Sequence, residues 1–421
     1  MLDFPQRASP NYEGRLDTMV SDLLQPRDGI PPLLSTPGEF TAAADLLASG
    51  TGPFAIDTER ASGFRYDDRA FLIQIRRRGS GTLLFDPEQF RPELTQALKP
   101  VLNGQEWIIH AASTDLPSLA WLDLHPGLLF DTELAGRLAG FDHVNLAAMV
   151  EQIFDLHLLK GHGSEDWSKR PLPESWLNYA ALDVEMLLEL ADVMAEILDQ
   201  QGKLPWAEQE FVHIVDQFAT MTEPSETSWQ DLKGLSTLKR PDQLVVAREM
   251  WLERDSFAAS RDLAPGKVLS NKVIVEVARV LPRTPAELAQ VKGFPGRSQG
   301  ATKRWFRIIT RALKSPRRNW PKPQQRKDGI PDRRAWASYY PEEHEVLQEI
   351  RALIDDLAAD INVPGENILQ PSTLRVAVWM AKHTGEIHNA ETLNAVLRDY
   401  GARQWQIDQT FPILSANLLK L

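Results

Sequence analysis

The stretch Phe54-Ala55-Ile56-Asp57-Thr58-Glu59-Arg60, FAIDTER, runs like a buried strand and ends in two carboxylates one residue apart. Alternate side chains of a strand share a face, so Asp57 and Glu59 point the same way. Like charges on one face repel, and burying them costs free energy unless a cation or hydrogen-bond donors compensate. Acidic side chains at a strand end commonly run out into solvent instead. Which of the two holds here depends on what the rest of the chain brings to the pair.

The chain has 421 residues, enough for about two to four domains. Its composition, 43% hydrophobic and 25% charged, is that of ordinary globular protein. The absence of cysteine excludes a disulfide framework and any thiolate metal site. The first fifteen residues lack an apolar targeting core and no apolar run reaches the length of a membrane span, so a cytoplasmic protein is expected. The formal net charge is −12, but it is unevenly spread. Arg297 to Arg334 holds thirteen Lys and Arg against two Asp, a local +11, which leaves −23 on everything else. A basic segment on an acidic body can hold nucleic acid while the body does something else.

Residues 1–35 are Pro-rich and weakly patterned, a loose lead-in. From 36 to 205, β-like runs alternate with helical ones. GPFAID, FLIQIR and TLLFD read as a three-stranded meander, and EWIIHA as a further strand. PEQFRPELTQALKPVL is helical, and STDLPSLAWL opens a helix with Ser113 or Thr114 as its cap. Asp131 and Asn145 are plausible caps for two more, and ESWLNYAALDVEMLLELADVMAEIL reads as one long amphipathic helix. Strands and helices around one sheet make this part α/β. Beyond it the β signal vanishes. Residues 226–314 form one helical block, 315–334 a basic Pro-rich linker, and 335–421 a second helical block that loosely repeats the plan of the first.

Further carboxylates sit at element ends. HAASTDLPSL places Asp115 just past a strand, and WLNYAALDVEML places Tyr179 and Asp183 four apart on one helix face. That helix is apolar nearly all round, so Asp183 is not expected to be fully solvated. Alone, each has an ordinary explanation: a hydrogen-bonded buried Asp, or an acidic residue in a helix first turn.

Together, FAIDTE, HAASTD and NYAALD resemble, in order, the three motifs of the DEDD superfamily of 3′-to-5′ exonucleases. Tyr179, four residues before Asp183, places the chain with the tyrosine type; Asn178 stands where the histidine type carries His. The segment KGHGSEDWSKRPLPESWLNYAALDV, together with LIQI around Gln74 and FDTELAGRLAG, resembles the ribonuclease D family. The helical block from Trp229 resembles the domain shared by RecQ-type helicases and ribonuclease D (HRDC), and the C-terminal block looks like a second, divergent copy. Arg60 departs from the family, many of whose members carry an aromatic after Asp-x-Glu.

The resemblance implies a ribonuclease H-like mixed sheet with flanking helices, followed by two small all-α HRDC-like domains. It implies two divalent ions, Mg²⁺ or Mn²⁺, which oxygen-only ligands suit. Asp57, Glu59 and Asp183 would hold the ion that activates water, and Asp57 with Asp115 the ion facing the leaving group. Tyr179, a phenol with a pKa near 10, would orient the attacking water rather than deprotonate it. Lys160, Trp167, Arg170, Arg317 and Arg318 are expected to contact substrate. The implied activity is release of nucleoside monophosphates from RNA 3′ ends, tRNA precursors among them, by a monomer. A DNA exonuclease and a binding protein with an inactive nuclease fold are the alternatives. A helicase motor is excluded, because no Gly-x-x-x-x-Gly-Lys-Ser/Thr loop occurs.

Overall fold

The computed structural model describes residues 21–159, 161–223, 227–296, 298–322, 329–331 and 333–419. The nuclease body begins with β1 (Ser21–Leu23), β2 (Leu33–Leu34) and α1 (Pro37–Ser49), and continues through β3 (Thr51–Arg60), β4 (Ala70–Arg78) and β5 (Gly81–Phe85). After α2 (Arg91–Leu102) come β6 (Glu106–Ile109), α3 (Leu116–Ala120), β7 (Leu128–Asp131), α4 (Thr132–Ala139), α5 (Leu146–Phe154) and β8 (Leu156–Leu158). Three helices close it: α6 (Glu174–Glu185), α7 (Leu187–Gln200) and α8 (Leu204–Phe218).

The main sheet has the order β2-β5-β4-β3-β6-β7. The meander β3-β4-β5 is antiparallel, whereas β2, β6 and β7 join it in parallel, so the sheet is mixed. This places β3, the strand carrying FAIDTER, at the centre, where Phe54, Ala55 and Ile56 are buried. The lead-in is not loose throughout. From Ser21 it is tied down, β1 pairing with β8 and β2 with the sheet edge, while residues 1–20 lie outside the described part.

The long helix expected after Glu174 is two. Met186, at φ −108° and ψ 2°, breaks it. The two faces it must bury explain the break: α6 lies over β3, β4 and β5, and α7 turns away to pack on β3, β6 and α4. Beyond residue 205, α8 continues the body, Phe211 meeting Phe130 of β7 at 4.9 Å between ring centroids.

The first helical domain holds α9 (Pro241–Arg261), α10 (Pro265–Val268), α11 (Asn271–Val280), α12 (Pro285–Gln290) and α13 (Gln299–Lys314). After α14 (Arg333–Tyr339), the second holds α15 (Pro341–Ile361), α16 (Gly365–Ile368), α17 (Pro371–Lys382), α18 (Ala390–Asp399) and α19 (Gln404–Leu418). The two follow one plan. Each opens with a 21-residue helix ended by a left-handed residue, Asp262 or Asn362, followed by a four-residue helix. The basic linker is partly folded: Trp320 donates to Ser315, Arg248 donates to the Asn319 carbonyl, and Ile330 is buried. Among the described residues no helix is long and apolar enough to cross a membrane.

The two helical domains meet the body differently. The C-terminal one shares its hydrophobic core. Trp405 stacks on Trp206 of α8 with ring centroids 5.0 Å apart and donates to Glu210, which also pairs with Arg403 at 2.6 Å. Gly140 is needed at this junction: its φ is +82°, and a Cβ there would fall 2.0 Å from the Asn362 side chain. The first helical domain keeps a core of its own. It docks through a polar latch on the loop between β3 and β4. Asp262 accepts from Arg65 and Arg69 at 3.2 and 3.1 Å and from the Tyr66 N–H, and the Tyr66 hydroxyl donates to Asp255. The Ala264 N–H donates to the Phe64 carbonyl, and the Lys267 ammonium lies 4.0 Å above the Phe64 ring. Burial pushes the Asp262 carboxyl up, but the bonds from Arg69 and the Tyr66 N–H outweigh it and hold it below the usual carboxylate range.

Asp262→Asn tests the latch, because Asn tolerates the left-handed backbone while losing the charge. Half-exposed ion pairs contribute about 1 kcal/mol or less each, so the domain is expected to undock in part of the population. Small-angle scattering should show a larger radius of gyration, with the melting of the nuclease body unchanged. An unaltered radius would mean that the latch does not hold the domain.

Candidate active site

The site forms where β3, the turn after β6 and α6 converge. One oxygen each from Asp57, Glu59 and Asp183 lie within 4.8 Å of one another. Asp57 and Glu59 come from the shared face of β3, as their spacing requires. The sheet beneath makes that face hard to leave: Asp57 is paired with Gln74 and Glu59 with Leu72 across the β3–β4 ladder. Glu59 is only 6% exposed. Glu59 is therefore shielded while Asp57 and Asp183 stay half-buried, so the strand end opens to solvent only in part and the pair does not spill out.

Asp115 reaches the group by another route. Ala111 adopts a left-handed conformation (φ 60°) and starts the short turn Ala112–Thr114, and the N–H groups of Ala111 and Ala112 donate to Asp131. Asp131 also caps α4 by accepting from Glu133 and Leu134, as expected, and Asn145 caps α5. Ser113 and Thr114 do not cap α3. Instead the Thr114 hydroxyl donates to the Asp115 carboxylate at 2.7 Å, and the Thr58 hydroxyl does so at 2.6 Å. These two threonines orient Asp115, and Ser118 bonds Thr58 in turn. Thr58 stands between the two acidic residues of β3, so its position was visible in the sequence, but its partner fifty-seven residues on was not.

Electrostatics say what the cluster lacks. Burial, then the neighbouring carboxylates, pushes Asp57 and Glu59 well above the usual range. Burial raises Asp115 against the pull of Arg60 and the threonine bonds, and raises Asp183 to about 7. Four carboxyls gathered out of water are stable as anions only with positive charge among them, and an all-oxygen set suits a hard divalent cation. The residues fit such an ion. The Tyr179 hydroxyl donates to Asp183; burial, then Asp183, Glu59 and Asp57, raises its pKa far above that of a free phenol.

The segment before α6 has a structural role, which corrects two expected substrate contacts. Trp167 is fully buried, its ring 5.2 Å from Trp176 and its N–H on the His162 carbonyl, so it has no face for a base. Arg170 is committed to Asp86 and to the carbonyls of Phe71, Trp167 and Lys169. Together they pin this segment to β4 and β5 and hold α6, with Tyr179 and Asp183, over the sheet. Lys160 lies outside the described residues. Arg317 and Arg318 are exposed, on the first helical domain rather than at the carboxylates.

Comparisons with known proteins agree with this geometry. A 3′-5′ exonuclease family model matches residues 34–199, an HRDC model 243–300, and a 3′ to 5′ exonuclease C-terminal domain model 329–418. Ribonuclease D of Gluconacetobacter diazotrophicus is 29% identical over 269 residues, covering 62% of this chain and 66% of that protein. Ribonuclease D of Pseudomonas paraeruginosa is 27% identical over 333 residues, covering 77% and 83%. The curated relatives that the chain resembles are thus named ribonuclease D, and the matched models place a 3′-5′ exonuclease domain ahead of an HRDC domain. Among solved structures, a protein from Bifidobacterium adolescentis matches with a TM-score of 0.79 and 32% identity over 94% of this chain and 99% of that one. Ribonuclease D of Escherichia coli shares the fold, with a TM-score of 0.64 and 23% identity over 88% and 99%. The nuclease body is thus a 3′–5′ exonuclease domain, and the enzyme is a hydrolase.

The raised carboxyls have a consequence for stability. A carboxyl whose folded pKa lies above its unfolded value binds protons better when folded, so stability is greatest at low pH and is lost as pH rises toward the folded value. For Asp183 that window runs from about 4 to about 7. The ion-free protein should therefore melt at progressively lower temperature from pH 5 to pH 7.5, and saturating Mn²⁺ or Mg²⁺ should flatten the trend. A metal-independent profile in calorimetry would refute the cation site.

Proposed function

We propose that the protein is a metal-dependent exoribonuclease that removes nucleoside monophosphates one at a time from structured RNA 3′ ends, tRNA precursors among them, and acts as a monomer. The observation that carries the reading is the convergence of Asp57, Glu59 and Asp183 within 4.8 Å, with Asp115 alongside. Asp57, Glu59 and Asp183 would hold one divalent ion, and Asp57 with Asp115 a second. Such ions supply an activated water, neutralise the charge that develops on the phosphate, and stabilise the leaving 3′-oxygen.

The chain's own residues do the rest. Thr58 and Thr114 fix the rotamer of Asp115. Tyr179 keeps its proton at neutral pH, because its pKa is pushed far up; its hydroxyl serves to place the attacking water, not to deprotonate it. A Cβ at Gly163 would stand 3.4 Å from that hydroxyl, and the His162 ring meets the Tyr179 ring edge-on at 5.8 Å, so the loop before α6 lies close beside the phenol.

Substrate grip comes from outside the acidic site. On α13 the exposed Lys303, Arg307, Arg311 and Lys314 follow one another at helical spacing, and Arg317 and Arg318 continue the row. Arg307, Arg311 and Lys314 line an open groove of about 660 Å³. Charge at this density displaces counterions from a polyanion, which supports RNA-body binding on the first helical domain.

Two measurements test the reading. Tyr179→Phe retains the ring and loses only the hydroxyl, so turnover on 3′-labelled RNA should drop about 10²-fold with RNA affinity nearly unchanged. A fall in affinity with turnover intact would make Tyr179 a substrate contact instead. Arg307→Ala with Lys314→Ala should lower the salt dependence of RNA binding by roughly 0.7 per lost contact in the log–log slope. Faster hydrolysis of a matched DNA oligonucleotide than of RNA would favour the DNA exonuclease.

A further inference from the structure

Arg60 follows the acidic pair on β3, and the structure gives it a place beside the site. The β3–β4 register shifts between Glu59 and Arg60, so that Glu59 pairs with Leu72 but Arg60 with Ala70. The unpaired residue, Phe71, lies on β4, so the ladder is interrupted just beside Arg60. The Arg60 guanidinium is carried over to the turn after β6, where Nη1 donates to the Thr114 carbonyl and Nη2 stands 3.9 Å from Asp115 Oδ1. Its side chain is 28% exposed at the rim, while Asp115 beneath it is buried. Among the described residues its other nitrogens make no hydrogen bond. Its positive charge opposes the upward shifts of Asp57, Glu59 and Asp115.

We propose that Arg60 binds a backbone phosphate next to the scissile linkage of the nucleic-acid substrate and, before ions bind, supplies positive charge at Asp115 in competition with them. The inference rests on the nuclease reading of the site. The geometry suits both roles. A guanidinium presents five donors in a planar fork that matches phosphate oxygens. Only one nitrogen is committed to a hydrogen bond, with the Thr114 carbonyl. Held at the rim and not among the ligands, it is placed to meet the chain as its 3′ end enters. While that place is vacant, its nearest anionic partner is Asp115, to which a cation would also bind.

The two roles make opposite predictions for one substitution. In Arg60→Ala, loss of a charged phosphate contact should raise KM for a 3′-labelled RNA oligonucleotide about tenfold, with kcat within about threefold. Titration calorimetry with Ca²⁺ should show tighter binding than in the wild type, because the competing charge has gone. Arg60→Lys should recover part of the KM and restore the weaker Ca²⁺ binding. Fluorescence anisotropy of the same oligonucleotide on the Ca²⁺-loaded protein gives the affinity without turnover. It therefore reads the phosphate contact separately from turnover, so that failure of the nuclease reading (no turnover by the wild type) and failure of the contact are told apart. A merely structural Arg60 would loosen Asp115, so weaker Ca²⁺ binding in Arg60→Ala overturns the proposal. Unchanged oligonucleotide affinity overturns it as well.

Discussion

Everything in the nuclease body answers to one electrostatic difficulty, the gathering of Asp57, Glu59, Asp115 and Asp183 out of water. Without a cation the cluster opposes folding: burial alone raises each of the four, and mutual repulsion adds to it at Asp57, Glu59 and Asp183. A fold can hold such a group only if the backbone leaves the side chains no alternative. The central strand does this for Asp57 and Glu59, because a change of face would require a register slip that exposed Phe54 and Ile56. The burial that makes the site costly also strengthens its interactions with a bound ion.

Asp115 and Asp183 lie on less constrained elements and are held by polar contacts instead. Asp115 follows a left-handed alanine in a turn whose N–H groups are taken up by Asp131, and two threonine hydroxyls set its carboxylate. Asp183 depends on α6, which is clamped by Trp167 from below and by the Arg170–Asp86 pair at its approach. Trp167 and Arg170 thus bear on the site through the helix they hold.

This explains which parts of the protein were legible in its sequence. The meander, β6, the caps at Asp131 and Asn145, and the three acidic motifs all announce themselves by local pattern: alternation, a turn, a cap three residues ahead of its partner. The break at Met186 does not, because α6 and α7 are separately plausible parts of one amphipathic run and only the position of the sheet decides where the helix must turn. Trp167 and Arg170 misled for a related reason. An aromatic and a cation near an acidic motif look like substrate contacts, while Trp167 is taken up by His162 and Trp176 and the partners of Arg170, Asp86 and Phe71, lie 84 and 99 residues away in sequence. Arg60 was visible only as a departure; its meaning needed the bulge and Thr114.

The two helical domains share a plan but not a relation to the active site, and the difference lies in their cores. The C-terminal one is continuous with the nuclease core through α8, so parting them would expose Trp206, Trp405 and the buried Arg403–Glu210 pair. Breaking a buried pair and an aromatic stack together costs several kcal/mol, which makes this domain part of the body's stability. The first helical domain keeps its own core and touches the body through half-exposed charges. Its attachment is therefore the weaker one and is sensitive to salt. The loop it grips, from Phe64 to Arg69, leads directly out of the strand that carries Asp57, Glu59 and Arg60. The basic row on α13 thus belongs to the more weakly held module, which is anchored to the loop leaving that strand. Under the proposed reading, that arrangement would let the grip on an RNA body adjust while the carboxylates stay fixed.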